Sequence, residues 1–110
     1  MKTTVKNYHL SWELNVRMSP ERGNCFFTAL AIIIAGWCGE KALYVEGGIP
    51  GDNPDEEWGH AWVEVNGEII DAQLPLLFAE KYRRVRGMRR ATLEKYCFET
   101  GGPLPRFVLP

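Results

Sequence analysis

The chain reads as an α+β domain in which a central helix packs on a small antiparallel sheet, and three observations carry that reading. Residues 25–35, CFFTALAIIIA, are an apolar block interrupted only by Thr28, between Asn24 and Gly36, a good N-cap and a good C-terminal glycine for about three turns of helix. Residues 60–71, HAWVEVNGEIID, alternate on either side of Asn66-Gly67, the dipeptide that best suits a two-residue type I′ hairpin turn. The chain has 110 residues, 45% of them hydrophobic and 25% charged, enough for one domain with a real core.

The remaining elements follow in order. Residues 4–18 carry a loose alternation of Val5, Tyr8, Leu10, Trp12, Leu14 and Val16, which predicts an edge strand. Ser19-Pro20-Glu21-Arg22-Gly23 is a turn by composition. The helix over 24–36 is apolar on nearly every side, which predicts a position buried at the centre of the domain. Residues 41–46 predict a strand. GGIPGDNPDEEWG, residues 47–59, predicts a long polar loop that delivers the chain to His60, a solvated loop in the plain reading and a lid or substrate-selecting rim in the sharper one. After the hairpin, residues 74–80 predict a short helix, 82–86 a strand and 91–98 a second helix. The expected organisation is one domain over 1–110: an N-terminal edge segment 1–18, a core 19–100 and an extended tail 101–110.

Composition excludes several classes of function. The formal net charge is −1, so no global field calls for nucleic acid or an anionic membrane. The longest apolar run falls short of the roughly 20 residues that span a bilayer. Three cysteines, Cys25, Cys38 and Cys97, form no C-x-x-C, which supports neither a zinc knuckle nor a disulfide framework. The N-terminus lacks the apolar stretch of a secretory signal, and the expected location is cytoplasmic.

The hairpin raises a chemical question, since it opens on His60 and closes on Asp71. A two-residue turn pairs Val65 with Glu68, Glu64 with Ile69, Val63 with Ile70 and Trp62 with Asp71. His60, Trp62, Glu64, Ile69, Asp71 and Gln73 then share one face, and His60 and Asp71 are diagonal neighbours with backbones roughly 7 Å apart, within reach of an imidazole and a carboxylate. Cys25 is the natural partner for such a pair. It opens a helix, where unpaired N–H groups and the positive dipole end favour an anion. Thiolate, imidazole and orienting carboxylate make a nucleophile–base–orienter triad. The backbone N–H of Cys25 is one oxyanion donor. Asn24, Asn15 and Gln73 are candidates for a second by residue type. Trp62 is expected to pack, and to wall the site as it does so.

GNCFFTAL, then HAWVEV, then IIDAQ resembles the transglutaminase-like branch of the papain-like cysteine hydrolases, over about residues 22–73. That family's second motif often reads H-x-W-x-E-V, then a short turn and an Asp, and His60, Trp62, Glu64, Val65 and Asp71 match it. The leader peptidases of lasso-peptide biosynthesis are a similar class, small and with a like HAW motif. The resemblance implies a papain-like core, catalytic roles for Cys25, His60 and Asp71, and no cofactor or metal. RGNCFFTAL is also similar to the cysteine motif of the ovarian-tumour deubiquitinases, but the histidine of that class lies much further along the chain. The arylamine acetyltransferases share the Cys–His–Asp order in a longer chain with a different glycine pattern.

The expected function is therefore hydrolysis of peptide or amide bonds through a thioester acyl-enzyme. Glutamine deamidation or transamidation by the same triad is the nearest alternative. The expected partners are a peptide or protein substrate and, for so short a chain, a second protein that completes the substrate groove. Residues 81–95 hold Lys81, Arg83, Arg84, Arg86, Arg89, Arg90 and Lys95. An adaptor without catalysis would bind a protein or nucleic acid there. With net charge near zero, a solvated face paired with nearby acids is the better expectation, and nucleic acid is the weaker one.

Overall fold

A computed structural model describes residues 5–100, apart from the side chains of Tyr96, Cys97 and Thr100. The expected tail lies outside them. The domain is α+β, with a five-stranded mixed sheet and three helices: β1 (Val5–Lys6), α1 (Tyr8–Met18), α2 (Cys25–Ala35), β2 (Leu43–Pro50), β3 (Glu57–Val65), β4 (Glu68–Ile70), β5 (Arg83–Arg89) and α3 (Arg90–Thr100). Strand order is β1-β4-β3-β2-β5. Neighbours are antiparallel except β1, which runs parallel to β4 with Lys6 opposite Ile69. The sheet is thus mixed, where an antiparallel one was expected.

The expected edge strand over residues 4–18 is instead a two-residue strand followed by a helix. Asn7 caps that helix, its Oδ1 accepting from the Leu10 N–H at 2.9 Å, and Ser19 ends it in the left-handed region. Leu10, Leu14 and Met18 recur every fourth residue and pack into the core, while Trp12 and Val16 stay exposed. The alternation was a by-product of helical spacing read with the wrong period.

The expected helix is α2, closed at Gly36 in the left-handed conformation. Asn24 occupies the cap position without a side-chain cap bond. Its carbonyl accepts from the N–H and hydroxyl of Thr28 instead. One side of α2 (Cys25, Thr28, Ala29, Ile32 and Ile33) is buried, but Phe27 and Ile34 are exposed. The helix therefore lies on the sheet and is not enclosed on all sides.

Two buried clusters mark the two faces of the sheet. Tyr44, Ala61, Val63 and Ile70 meet Ala29, Ile32 and Ile33 of α2, together with Leu14 and Leu93. Val45, Trp62 and Ile69 form the other cluster, with Leu43 and Tyr82 packed against it. The first face also holds a buried polar group, Glu46, which accepts from the Tyr44 hydroxyl at 2.8 Å and from Arg86 Nε at 2.6 Å.

The long polar loop expected over 47–59 shrinks to residues 51–56, because β2 runs on to Pro50 and β3 begins at Glu57. Gly47 and Gly48 read as loop residues in sequence, yet both are buried in β2. Around Gly47 the space for a side chain is already taken by the Arg83 carbonyl and the Trp62 ring. A bond from Gly51 N–H to Glu56 O, 2.8 Å, ties the short tip. The helix expected over 74–80 is turns and a 3-10 turn at Ala79–Lys81. Its backbone groups are drawn off by tertiary partners: Lys6 Nζ holds the carbonyls of Leu74 and Leu77, and Asp71 holds the N–H of Leu74.

Candidate active site

The hairpin forms in the expected register. Val65 pairs with Glu68, Glu64 with Ile69 and Val63 with Ile70, and Asn66 and Gly67 take the positive φ angles of 53° and 79° that a type I′ turn requires. Asp71 follows the last residue of β4, across the hairpin from His60. His60 Nε2 and Asp71 Oδ2 are 2.7 Å apart, so Nε2 donates to the carboxylate and Nδ1 is left for another partner. Cys25, the first residue of α2, lines one crevice with Asp71 and Trp62 and is near enough to that ring to raise its pKa. Cys25, His60 and Asp71 thus come from three elements of the chain and lie near one another.

The three side chains differ in their access to solvent. Cys25 keeps 8% of its surface, His60 3% and Asp71 2%. Cys25, Trp62 and Asp71 line one crevice with Ala29 and Ile32 that leaves no room for a water molecule. Burial therefore governs the electrostatics. Burial opposes the charged form of His60, but its hydrogen bonds with Asp71 and Cys25, and the charges of both, outweigh that and push its pKa up to about 9. Burial also opposes the Asp71 carboxylate, yet His60, Tyr82 and the Leu74 N–H hold its pKa below the ordinary value. At neutral pH this pair is imidazolium and carboxylate.

Asp71 is held on every side. Its Oδ1 accepts from the N–H groups of Gln73 and Leu74 at 3.0 and 3.1 Å, and its own N–H donates to Ser11 Oγ at 2.9 Å. Tyr82 donates its hydroxyl to Oδ2 at 2.6 Å, and Lys6 Nζ donates to the Tyr82 oxygen at 2.8 Å. Neither Tyr82 nor Lys6 stood out in the sequence. A lysine in a two-residue strand carries no local signal of burial, although it is only 5% exposed here. Burial pulls the Lys6 pKa down to about 8, against the opposite pull of the Asp71 charge. Burial and the neighbouring carboxylate push the Tyr82 pKa up, which keeps its hydroxyl a donor.

Trp62 is buried, as its expected packing role requires, and lines the crevice beside Cys25 and Asp71. Its ring stacks on His60 with centroids 5.9 Å apart and meets Tyr82 edge-on at 4.9 Å, while its N–H donates to Glu64 at 3.1 Å. Gln73 leaves the face the hairpin register predicts for it. Its Oε1 lies 2.9 Å from the Thr28 hydroxyl and its Nε2 donates to Glu21 O at 2.7 Å, so it straps the segment after β4 to the start of α2. Asn15 donates to Ala72 O. Asn24, which precedes Cys25 in the chain, is exposed.

The basic segment is largely paired within the chain: Arg83 with Glu57, Arg84 with Glu64, Arg86 with Glu46 and Arg90 with Glu94. Among the described residues, no group of three or more His, Cys, Asp or Glu is arranged to hold a metal ion, and no helix is long and apolar enough to cross a membrane. Compared with protein-family models, with curated proteins and with solved structures, the chain matches none.

Proposed function

We propose that this chain is a small cysteine hydrolase of the papain-like, transglutaminase-like kind, acting on peptide or amide bonds. The observation that carries the reading is the buried His60–Asp71 pair at 2.7 Å with Cys25, at a helix start, as the other partner of the ring. That arrangement supports a nucleophile–base–orienter reading.

In this reading the Cys25 thiolate attacks the carbonyl carbon. The oxygen takes up negative charge against the Cys25 N–H, which lies in the helix turn that lacks intrahelical partners, and against the Asn24 amide. His60 gives its proton to the leaving nitrogen. The C–N bond breaks, an amine departs and a thioester remains. Water then loses a proton to His60 and attacks the thioester, releasing a carboxylic acid and restoring the thiol. Asp71 keeps Nε2 protonated and Nδ1 aimed at sulfur throughout, as an orienting carboxylate does. The crevice is closed, so the substrate is met at the exposed edge of Cys25, and a partner surface would complete the groove. Deamidation uses the same steps with ammonia as the leaving group, and transamidation uses an amine in place of water. The internal pairing of Arg83, Arg84, Arg86 and Arg90 weighs against a nucleic-acid adaptor.

The test is the rate of Cys25 alkylation between pH 4 and 9, read by peptide mass spectrometry. Fast labelling that persists well below pH 7 and falls at least tenfold in His60→Ala is expected, since His60 would stabilise the anion. Labelling that rises only near pH 8.5, as for a free thiol, would refute the reading.

A further inference from the structure

The hydrogen bonds around Asp71 extend past the triad. His60 Nε2 and the Tyr82 hydroxyl converge on the same carboxylate oxygen, Oδ2, at 2.7 and 2.6 Å. Behind Tyr82 stands Lys6, whose Nζ donates to the Tyr82 oxygen at 2.8 Å and to the carbonyls of Leu74 and Leu77 at 2.8 and 2.6 Å. The ammonium also lies over the Tyr8 and Tyr82 rings, 5.3 and 4.9 Å from their centroids. Three donations to fixed acceptors leave this lysine no freedom to swing, and a buried cation needs such compensation. Lys6 comes from β1, Tyr82 from the residue before β5 and Asp71 from the residue after β4. The row Lys6–Tyr82–Asp71–His60–Cys25 therefore gathers groups from β1, α2, β3 and the segments that follow β4 and precede β5.

We infer that Tyr82 and Lys6 are positioning residues for Asp71, fixing the oxygen that orients His60 and balancing its negative charge from the side away from the thiol. The inference rests on the hydrolase reading for its catalytic meaning, but its geometry is independent of that reading. Tyr82 supplies the second hydrogen bond to Oδ2, so the carboxylate cannot rotate away from His60 without losing both. Lys6 polarises the Tyr82 hydroxyl and places a positive charge behind it. The titratable and charged groups facing His60 are Cys25 from α2, Asp71 after β4 and Tyr82 before β5, with Lys6 one residue further out.

The test is the His60 titration, followed by NMR of the imidazole in the folded chain. Removing the Tyr82 donor in Tyr82→Phe, or the cation in Lys6→Met, leaves more negative charge on Oδ2. The His60 midpoint is expected to rise by about half a unit or more in each. Lys6→Arg, which keeps a cation, is expected to restore most of the wild-type midpoint. In parallel, Cys25 alkylation should slow several-fold in Tyr82→Phe, as His60 loses its fixed aim. A midpoint that is unchanged, or that drops, in folded Tyr82→Phe and Lys6→Met overturns the inference. Should one variant fail to fold, the other decides. An ordinary thiol profile for Cys25 in the wild type would remove the hydrolase reading, whereas the His60 midpoints would still report whether the arm acts on Asp71.

Discussion

Asp71 shows how one side chain can organise a site. Four donors, the His60 ring, the Tyr82 hydroxyl and the N–H groups of Gln73 and Leu74, meet its two oxygens. Asp71→Asn keeps the shape and can still accept from the two N–H groups, but it puts an amide NH2 against two donors. The charge that holds His60 protonated is gone, while the burial that opposes protonation remains. The His60 midpoint should therefore fall below about 6.5 in this variant. Stability at pH 6 should fall by about 3 kcal/mol, because a buried hydrogen-bonded pair is broken from one side. NMR titration and urea unfolding check the two numbers. A midpoint that stays high would mean that Asp71 is not what raises it. The helix start at Cys25 and the facing of His60 and Asp71 were legible in the sequence because a helix start and a tight hairpin are local. Tyr82 and Lys6 were not, since the contact between them spans 76 residues.

At the scale of elements, the hairpin was legible to the residue and the two ends of its approach were not. Asn66-Gly67 sets the register by local backbone sterics alone. Gly67, at φ 79°, tolerates a side chain poorly, and Gly67→Ala should cost about 1 kcal/mol. Gly47 is a different case. It has no special φ, but it pairs opposite His60, and a Cβ there would meet the Arg83 carbonyl and come within 2.7 Å of the Trp62 ring. Gly47→Ala should cost about 3 kcal/mol and disturb the Trp62–His60 stack. Urea midpoints would rank the two, and a Gly47→Ala protein as stable as Gly67→Ala would contradict the packing described here. Composition marks both glycines as turn residues. The Arg83 backbone on the far side of β2 and the Trp62 ring of β3 together make Gly47 a residue of close approach. In α1, likewise, the four-residue recurrence of Leu10, Leu14 and Met18 is present in the sequence, but Trp12 and Val16 mask it until burial shows which side chains face the core.

For the whole molecule, the charged groups of the site tie stability to pH. His60 titrates at about 9 when folded, above its ordinary 6.5. The stability it contributes is fully present below about pH 6.5 and is lost as pH rises through about 9. Asp71, held low, contributes stability that is present above the ordinary carboxylate value and lost as pH falls through its folded pKa. Lys6 runs the other way: lowered from 10.5 to about 8, it burdens the folded state below pH 8, and that burden lifts as pH rises from 8 towards 10.5. Measured in the wild type, where Cys25 is one of the groups that raise His60, unfolding free energy should fall by about 1–2 kcal/mol between pH 6 and pH 8. A flat or rising profile over that interval would show that His60 is not stabilised as a cation.

The sequence by itself determined α2 and its two ends, the Asn66-Gly67 hairpin and its register, and the facing of His60 and Asp71, because each depends on spacing within one short segment. Only the tertiary structure decided the parallel pairing of β1, the burial of Gly47 and Gly48, the half-covered face of α2 and the Tyr82–Lys6 arm. Each of these depends on which distant backbone or side chain fills the space beside it, a condition that local periodicity does not encode.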